Sequence, residues 1–246
     1  MRPDIDRLVH EELLRYQTTR YLHDYQLFQY APRRRLWTPM ERVWELVEFP
    51  SFSMLEMVAA YENAELYRKA ILDERFSVLD YKIFFGRSVM IHYLGLINYR
   101  KAIPELREIF LHAEDAELRC FALKALERMN AKACVPEIIQ TLRNDKDRFI
   151  KYECVETLGK MKDRRALCAL REFYEEAMGN IRCAEFQGKK FSEYFDDINN
   201  VGHVLEAMSI IGGPLANKTL QETLAYPNIV VQYIAERSEK IARRGI

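Results

Sequence analysis

The sequence predicts an all-α fold in which helical hairpins stack on one another. Three observations indicate this fold class. The 246 residues include only nine glycines and eight prolines, too few for a turn-dense β sandwich. The apolar residues recur at the three- and four-residue spacing of amphipathic helices. The sequence also repeats with a period of 32 residues, which is typical of one supersecondary unit stacked on its neighbours.

The repeat is visible when residues 86–109, 118–141 and 150–173 are aligned. Leu94, Leu126 and Leu158 then share one position, each 32 residues from the next. Two further columns keep the same spacing: Ile97, Met129 and Met161 in one, and Leu106, Ile138 and Leu170 in the other. Such columns predict side chains that face a common core.

Each repeat contains two predicted helices. In the third repeat, two apolar stripes flank the short link 162–165. The stripe before the link consists of Ile150, Cys154, Val155, Leu158 and Met161. The stripe after it consists of Leu167, Leu170 and Phe173. Pro104 and Pro136 fall in the first turn of a second helix, where no hydrogen bond is lost. Asp115 and Asp147 precede a first helix and suit its N-cap position.

The pattern [LI]-[RK]-x-x-[AC]-x-x-x-L, followed by [AC]-[VL]-[PC]-x-[IL], resembles HEAT repeats of the bilin-lyase HEAT-like kind, best over residues 86–173. The resemblance implies an α-solenoid of the armadillo type. It places the family's small residue at Met90, Ala122 and Cys154, and its basic residue at Arg87, Arg119 and Lys151. Met90 is bulky for that contact, and Lys151 lacks the planar fork of arginine.

Outside the three repeats, the chain is expected to divide into a helical N-terminal region, 1–75, and a solenoid, 76–246. The first region contains a predicted long helix, 4–30, and a capping box at 38–41, and forms either degenerate hairpins or a separate cap. The solenoid continues in a fourth unit, 203–224, in which Ile211 takes the place of Leu158. This alignment inserts 21 residues, mostly at about 175–200. A last helix, 229–243, is expected to cap the stack.

Charge and composition exclude several classes of function. Lys plus Arg and Asp plus Glu both number 37, and a zero net charge argues against a nucleic-acid partner. The longest uncharged stretch, 223–235, has 13 residues, too few for a transmembrane segment. The first residues lack the apolar segment of a secretion signal. Five cysteines without a C-x-x-C pair predict reduced thiols in the cytoplasm.

No constellation of residues indicates catalysis. The histidines form no H-x-x-x-H or H-E-x-x-H pair. The one His-Glu pair, His10-Glu11, lies outside the repeats, whereas the HEAT-built deoxyhypusine hydroxylases use repeated His-Glu pairs. Nucleotide-binding glycine motifs and the G-x-S-x-G motif of hydrolases are absent from the sequence. We therefore expect no catalytic residue, no metal and no cofactor. Four cysteines fall in the repeat register and are expected to be buried: Cys120, Cys134, Cys154 and Cys168.

Two segments outside the regular repeats combine aromatic residues with charge. The loop of Arg33–Arg35 and Trp37 either holds a phosphate, an acidic peptide or a membrane headgroup, or is a solvated link between helices. The insertion is either a partner contact or an extension of the flanking helices with its aromatic residues packed inward. These aromatic residues are Phe186, Phe191, Tyr194 and Phe195.

A third candidate is a basic strip along the first helices. By family resemblance these helices line the inner, concave side of the solenoid, where stacking makes a ladder of equivalent residues. The strip consists of Arg87, Arg119, Lys124, Lys151 and Tyr152. It is either a partner-binding surface or a set of structural cations, each paired with a carboxylate of the preceding unit.

The leading hypothesis is therefore a non-enzymatic, cytoplasmic scaffold or adaptor that binds a protein partner through its concave groove and the insertion. One alternative is a bilin-lyase-like enzyme or chaperone, which the repeats resemble, with Cys183 as its expected thiol. The other is a HEAT-like nucleic-acid-binding protein of the DNA-glycosylase type, which the zero net charge disfavours. The sequence leaves the oligomeric state open.

Overall fold

The computed structural model describes residues 64–73 and 87–244. The chain divides into two compact units, residues 1–129 and 130–246. The predicted helix at 4–30, the Arg33–Arg35 loop and the capping box at 38–41 lie outside the described residues. The predicted boundary between residues 75 and 76 lies outside them as well, so the division at that point stays a prediction.

The described part of the first unit contains four α-helices. They are α1 (Ala64–Ala70), α2 (Arg87–Leu96), α3 (Ile103–His112) and α4 (Ala116–Arg128). Helices α2 and α3 form a hairpin, and α4 packs against both. At Gly95 of α2, an added Cβ atom would lie 2.9 Å from the Cα atom of Ala125. Glycine is therefore needed there, because a side chain would collide with the backbone of α4.

The described part of the second unit contains six α-helices. They are α5 (Val135–Asn144), α6 (Arg148–Met161), α7 (Leu167–Phe186), α8 (Phe195–Ile211), α9 (Pro214–Leu224) and α10 (Ile229–Arg244). They form two layers, with α6, α8 and α10 in one and α5, α7 and α9 in the other. Helices α6 and α8 approach closely at Gly159, where an added Cβ atom would lie 2.8 Å from the Cα atom of Ala207.

Of the three columns predicted from the 32-residue period, two lie wholly in the core, and in the third Met129 and Met161 are buried while Ile97 is half-buried. Leu94, Leu126 and Leu158 are fully buried. The column of Leu106, Ile138 and Leu170 is fully buried as well. Within residues 64–73 and 87–244 every regular element is a helix, without a β-strand. The predicted fold class, all-α with stacked helical hairpins, is confirmed.

The predicted helix starts are also confirmed. The side chain of Asp115 accepts a 2.9 Å hydrogen bond from an amide in the first turn of α4. Asp147 accepts a 2.8 Å hydrogen bond from the first turn of α6. Pro104 and Pro136 lie in the first turns of α3 and α5. The first amides of a helix have no hydrogen-bond partner within the helix, and the aspartates supply one. Proline suits the first turn because it has no amide hydrogen that would stay unpaired.

The links after α2, α4 and α6 share a conformation that the sequence analysis did not predict. Asn98, Asn130 and Lys162 each adopt left-handed backbone angles, with φ of 53°, 48° and 51°. A short 3-10 helix follows each of them: Arg100–Ala102, Lys132–Cys134 and Arg164–Ala166. The left-handed residue ends the first helix and turns the chain toward the second. Asparagine adopts these angles more readily than lysine.

The insertion lengthens the helices that flank it. Helix α7 has 20 residues, whereas α3 and α5 have 10 residues each. The chain then turns at residues 187–190, forms the 3-10 helix Phe191–Glu193 and enters α8. The predicted helical extension is therefore present, but three of the four aromatic residues, Phe186, Phe191 and Phe195, are exposed and not packed inward.

The fourth hairpin, α8 and α9, differs from the others in its link and its register. Gly212 and Gly213 connect its helices with φ of 73° and 109°, angles that favour glycine. Ile211 is the last residue of α8 and only half-buried. Met208 is 1% exposed and lies three residues before the helix end, as Leu158 does in α6. The predicted alignment of Ile211 with Leu158 was therefore wrong by three residues.

The last helix, predicted at 229–243, is confirmed as α10. It packs against α8 and α9, in agreement with its predicted place at the end of the stack. Among the helices of the described ranges, none combines the length and the apolar composition needed to cross a membrane.

Candidate functional site

The basic strip predicted along the first helices is distributed over both units. Arg87, Arg119 and Lys124 lie in the first unit, whereas Lys151 and Tyr152 lie in the second. Arg87 is the first residue of α2, and its buried Nε atom has no hydrogen-bond partner among the described residues. Lys124 is half-buried on α4.

Two cations of the strip contact main-chain oxygens at helix ends. The Nε atom of Arg119 donates to the carbonyl oxygen of Phe110, in the last turn of α3, at 3.0 Å. The Nζ atom of Lys151 lies 3.5 Å from the carbonyl oxygen of Arg143, in the last turn of α5. The carbonyl end of a helix carries a partial negative charge, so both contacts are favourable. These cations therefore have a structural role in their own unit, whatever else they bind.

A polar cavity of about 160 Å³ lies beside Lys151 in the second unit. Its walls come from the link between α5 and α6, from α6, from the middle of α7 and from the start of α8. Its charged lining residues are Asp145, Lys146, Arg148, Lys151, Glu176 and Asp197. The cavity therefore brings residues that are distant in the sequence to one place.

Two acidic residues of the cavity are engaged within the protein. Asp145 accepts the main-chain amide hydrogen of Asp147 at 2.9 Å. Asp197 accepts a hydrogen bond from the side-chain nitrogen of Asn180 at 3.0 Å. The first hydrogen bond lies within the link between α5 and α6, and the second joins α7 to α8. The Asp197 carboxylate therefore holds two walls of the cavity together.

The basic residues of the cavity are less engaged. The ammonium group of Lys151 lies over the ring of Phe173, 5.9 Å from its centre, within the range of a cation–π contact. Lys146 and Arg148 form no ion pair or hydrogen bond through their side chains with any described residue. Sequence reasoning did not select these two residues, because it treated Asp147 between them only as a helix cap.

Tyr152 packs against a histidine that the sequence analysis considered only as a metal ligand. Its ring meets that of His203 edge-on, with the centroids 4.4 Å apart. On its other side it stacks with Phe149, at 6.5 Å between centroids. Tyr152 is on α6 and His203 is on α8, so the contact crosses the interface between these helices. Their separation in the chain concealed this contact from sequence reasoning.

The protonation states of this pair follow from burial. Burial lowers the pKa of His203 below its ordinary value. Burial raises the pKa of Tyr152, and the nearby carboxylate of Glu156 raises it further. At neutral pH an uncharged imidazole therefore faces a protonated phenol. A neutral imidazole has one nitrogen that accepts a proton and one that donates a hydrogen bond. Both side chains are half-buried and keep accessible surface.

The insertion presents three phenylalanines to solvent. Phe186 is 94% exposed, Phe191 is 41% exposed and Phe195 is 47% exposed. Tyr194 is buried, and the ring of Phe191 contacts both Tyr194 and Phe195, at centroid distances of 5.8 and 5.6 Å. The structure thus brings together three of the four predicted aromatic residues, and Phe186 ends helix α7 nearby in the chain.

Hydrogen bonds anchor the end of α7 that carries this surface. The carboxylate of Glu185 accepts hydrogen bonds from the hydroxyl group of Tyr226 and the side-chain nitrogen of Asn228, both at 2.6 Å. Burial raises the pKa of Tyr226 to about 12, with the Glu185 carboxylate contributing. The exposed phenylalanines therefore project from a segment that is attached to the α9–α10 link.

The cysteines follow the repeat register with one exception. Cys120, Cys134 and Cys154 are buried, as predicted. Cys168 is exposed, so the prediction that it is buried was wrong. Cys183 is exposed on α7, where its sulfur accepts a hydrogen bond from Gln187 at 3.3 Å. In the part of the chain that the structure describes, no three His, Cys, Asp or Glu residues are grouped as a metal site would need.

Comparison with known proteins supports the repeat assignment. The family model described as HEAT repeats matches residues 103–182. None of the curated proteins matches the sequence. The fold is similar to that of a chain in the structure of the complex of CpcE and CpcF of phycocyanin lyase from Nostoc sp. PCC7120, with a TM-score of 0.51 and 22% sequence identity. The match covers 73% of this chain, and it spans only 65% of the length of that chain.

This similarity corrects one expectation. The sequence analysis predicted a protein that is not an enzyme, and the match contradicts it, because the structure with this helical arrangement belongs to a lyase. At 22% identity the likeness establishes the fold and not the reaction. Residues 103–182 match the model for HEAT repeats, and the predicted resemblance to HEAT-repeat proteins of the bilin-lyase kind is confirmed.

Proposed function

We propose that the chain is a HEAT-repeat subunit of a lyase-type enzyme that acts together with a protein partner. The observation that carries the proposal is the fold similarity to a phycocyanin lyase in which two different proteins, CpcE and CpcF, form a complex. The resemblance of residues 86–173 to bilin-lyase repeats supports it from the sequence. A cytoplasmic location, predicted from the cysteines, belongs to this proposal.

The reaction class requires a proton acceptor and a proton donor. Lyases form or break a bond to carbon by addition to a double bond or by the reverse elimination. When a thiol adds to a C=C bond, its proton leaves for a base, the C–S bond forms, and the other carbon takes up a proton. His203 suits the base because its imidazole is uncharged, and Tyr152 suits the donor because its phenol is protonated.

The partner is proposed to bind the exposed phenylalanines of the insertion. Three solvent-exposed phenylalanines in one segment are unfavourable in water, and aromatic residues are enriched in protein interfaces. The anchored end of α7 presents them on a rigid support, which lowers the entropy lost on binding. The basic strip of Arg87, Arg119, Lys124, Lys151 and Tyr152 is proposed as a further partner contact.

The catalytic proposal is tested with biliverdin as the bilin and glutathione as the thiol. The purified chain, together with its captured partner, is expected to accelerate adduct formation, followed by absorbance and confirmed by mass spectrometry. His203→Gln should lower the rate about 100-fold, since general acid–base catalysis commonly contributes that much or more. The exposed histidine variant His112→Gln is the matched control and should keep the rate. An uncatalysed rate with the complex present would contradict the proposal.

The partner surface is tested by replacing Phe186, Phe191 and Phe195 with serine. We expect the triple variant to lose capture of the partner from cell extract while its unfolding curve stays that of the wild type. Replacing Leu72 and Leu96 with serine is the matched control, because these side chains are 46% and 41% exposed and belong to the first unit, whereas the insertion belongs to the second. Capture that is unchanged in the triple variant would remove the insertion from the interface.

A further inference from the structure

The polar cavity beside Lys151 has no part in the proton transfer proposed for His203 and Tyr152. We propose that it binds the anionic groups, carboxylate or phosphate, of the enzyme's substrate through Lys146, Arg148 and Lys151. That the ligand is the substrate rests on the proposed function. That the cavity takes an anion rests on the residues that line it.

The lining carries three carboxylates and three cations, so the preference for an anion rests on which of these groups the protein already engages. Asp145 and Asp197 accept hydrogen bonds from the protein, which leaves Glu176 as the one unengaged carboxylate among the described residues of the lining. In contrast, Lys146 and Arg148 make no side-chain ion pair or hydrogen bond with the described residues. Hydrogen bonds between a cation and an anion are stronger than those between neutral groups, so an anion is the most favourable partner for these side chains. Arginine also offers a planar pair of donors that matches the oxygens of carboxylate and phosphate.

Lys146 and Arg148 do not serve the core. Both side chains are exposed, although Arg148 is the first residue of α6. Nothing in the packing of α6 therefore requires their charge.

The size of the cavity indicates which part of a ligand it holds. At about 160 Å³ it is smaller than the pockets of about 300 Å³ or more that enclose whole small molecules. It therefore suits the acidic end of a larger ligand. Asn200 of the lining lies three residues before His203, on the same face of α8. A ligand anchored in the cavity can thus extend along α8 toward the proposed proton-transfer pair.

The first test compares biliverdin, which carries two carboxylates, with its dimethyl ester, which carries none. Absorbance titration of the full chain should give a Kd for the diacid at least about tenfold lower than for the ester, because a hydrogen bond to a charged group is commonly worth that factor. Lys146→Ala with Arg148→Ala should raise the Kd of the diacid by about the same factor and leave that of the ester unchanged. Equal binding of acid and ester, or an unchanged Kd in the double variant, overturns the proposal.

The matched control removes the same charge elsewhere. Lys189 and Lys190 are exposed in the insertion, and their replacement by alanine changes the net charge by the same amount as the cavity variant. This control should bind biliverdin like the wild type. A loss of affinity equal to that of the cavity variant would mean that only the overall charge matters, and it would overturn the assignment to the cavity.

A second probe separates failure of the cavity from failure of the lyase proposal. If neither bilin binds, succinate and inorganic phosphate are added to the full chain and the thermal midpoint is measured, since a ligand of the native state raises it. A rise in the wild type that is lost in the Lys146→Ala, Arg148→Ala variant supports the anion site and leaves only the bilin substrate in error. If neither anion raises the thermal midpoint of the wild type, the proposal of an anion site is wrong. The anion with the larger effect identifies carboxylate or phosphate as the recognised group.

Discussion

The regular hairpins and the insertion use large apolar side chains in opposite ways. In the hairpins, residues at the 32-residue columns, such as Leu126 and Leu158, are fully buried. In the insertion, which doubles the length of α7 relative to α5, Phe186 is almost fully exposed. Residues that keep the period serve the core, and residues outside the period are free to serve a surface.

Charged residues can be divided in the same way. Arg119 donates a hydrogen bond to the carbonyl oxygen of Phe110, whereas Lys146 and Arg148 are exposed and line the cavity. A charged residue that serves neither the core nor a contact between helices is a candidate for function. Variants of core and surface residues separate the two roles.

The sharpest test compares one phenylalanine from each region. Phe110 on α3 is fully buried, whereas Phe186 is 94% exposed. Phe110→Ala should lower the free energy of unfolding by about 3–5 kcal/mol, because it leaves a cavity in the core. Phe186→Ala should change it by less than about 0.5 kcal/mol. Urea unfolding followed by circular dichroism measures both. Similar losses in the two variants would show that the insertion is part of the core.

A second pair of variants tests helix contacts. Gly159→Ala should lower the free energy of unfolding by about 1–3 kcal/mol, because the new methyl group would lie 2.8 Å from Ala207 and force α6 and α8 apart. Gly179, in the extended part of α7, has no atom within 4 Å of an added Cβ position. Gly179→Ala should therefore raise the free energy of unfolding by about 0.5–1 kcal/mol, through helix propensity alone.

Thermal unfolding of the two glycine variants shows whether Gly159→Ala lowers the stability and Gly179→Ala raises it. A stable Gly159→Ala protein would mean that α6 and α8 are farther apart than described. A destabilised Gly179→Ala protein would mean that the extension of α7 is packed on the side where Gly179 lies.

The fold could be predicted because its information is local and repeated. Asp115, Asp147 and Pro136 mark helix starts within a few residues, and the leucine columns recur at a fixed interval. The site could not be predicted in this way. Its cavity combines side chains from four segments, and the insertion shifts α8 relative to the period, so that no sequence column joins Tyr152 to His203. Lys146 and Arg148 become candidates only once the structure shows the cavity beside them.

The first unit contains a buried histidine that makes its stability depend on pH. The Nδ1 atom of His92 accepts a 2.8 Å hydrogen bond from Arg128, and burial, followed by the charge of Arg128, lowers its pKa from 6.5 to about 3. In the unfolded chain His92 is therefore protonated below about pH 6.5, whereas in the folded chain it stays neutral down to about pH 3. Stability is full above pH 6.5 and falls as the pH decreases, with a slope approaching about 1.4 kcal/mol per pH unit.

The measurement is urea unfolding at several pH values between 7 and 5. His92→Gln keeps an acceptor for Arg128 but cannot be protonated, so its stability should fall less steeply than that of the wild type. His112→Gln, on the exposed side of α3, is the control and should follow the wild type. His203 contributes to the remaining slope in every variant, because its pKa is lowered too. Parallel profiles for the wild type and His92→Gln would refute the assignment.

The links inside the hairpins also contribute to stability through their backbone conformation. Lys162 adopts the left-handed conformation that asparagine adopts at the equivalent residues Asn98 and Asn130. An ordinary L-residue loses about 1–2 kcal/mol in this conformation, and asparagine loses less. Lys162→Asn should therefore raise the free energy of unfolding by about 0.5–1 kcal/mol, measured by urea unfolding. The reciprocal variant, Asn130→Lys, should lower it by a similar amount. If Lys162→Asn destabilises the protein, the lysine side chain contributes a contact that outweighs the backbone preference, and the links are not equivalent.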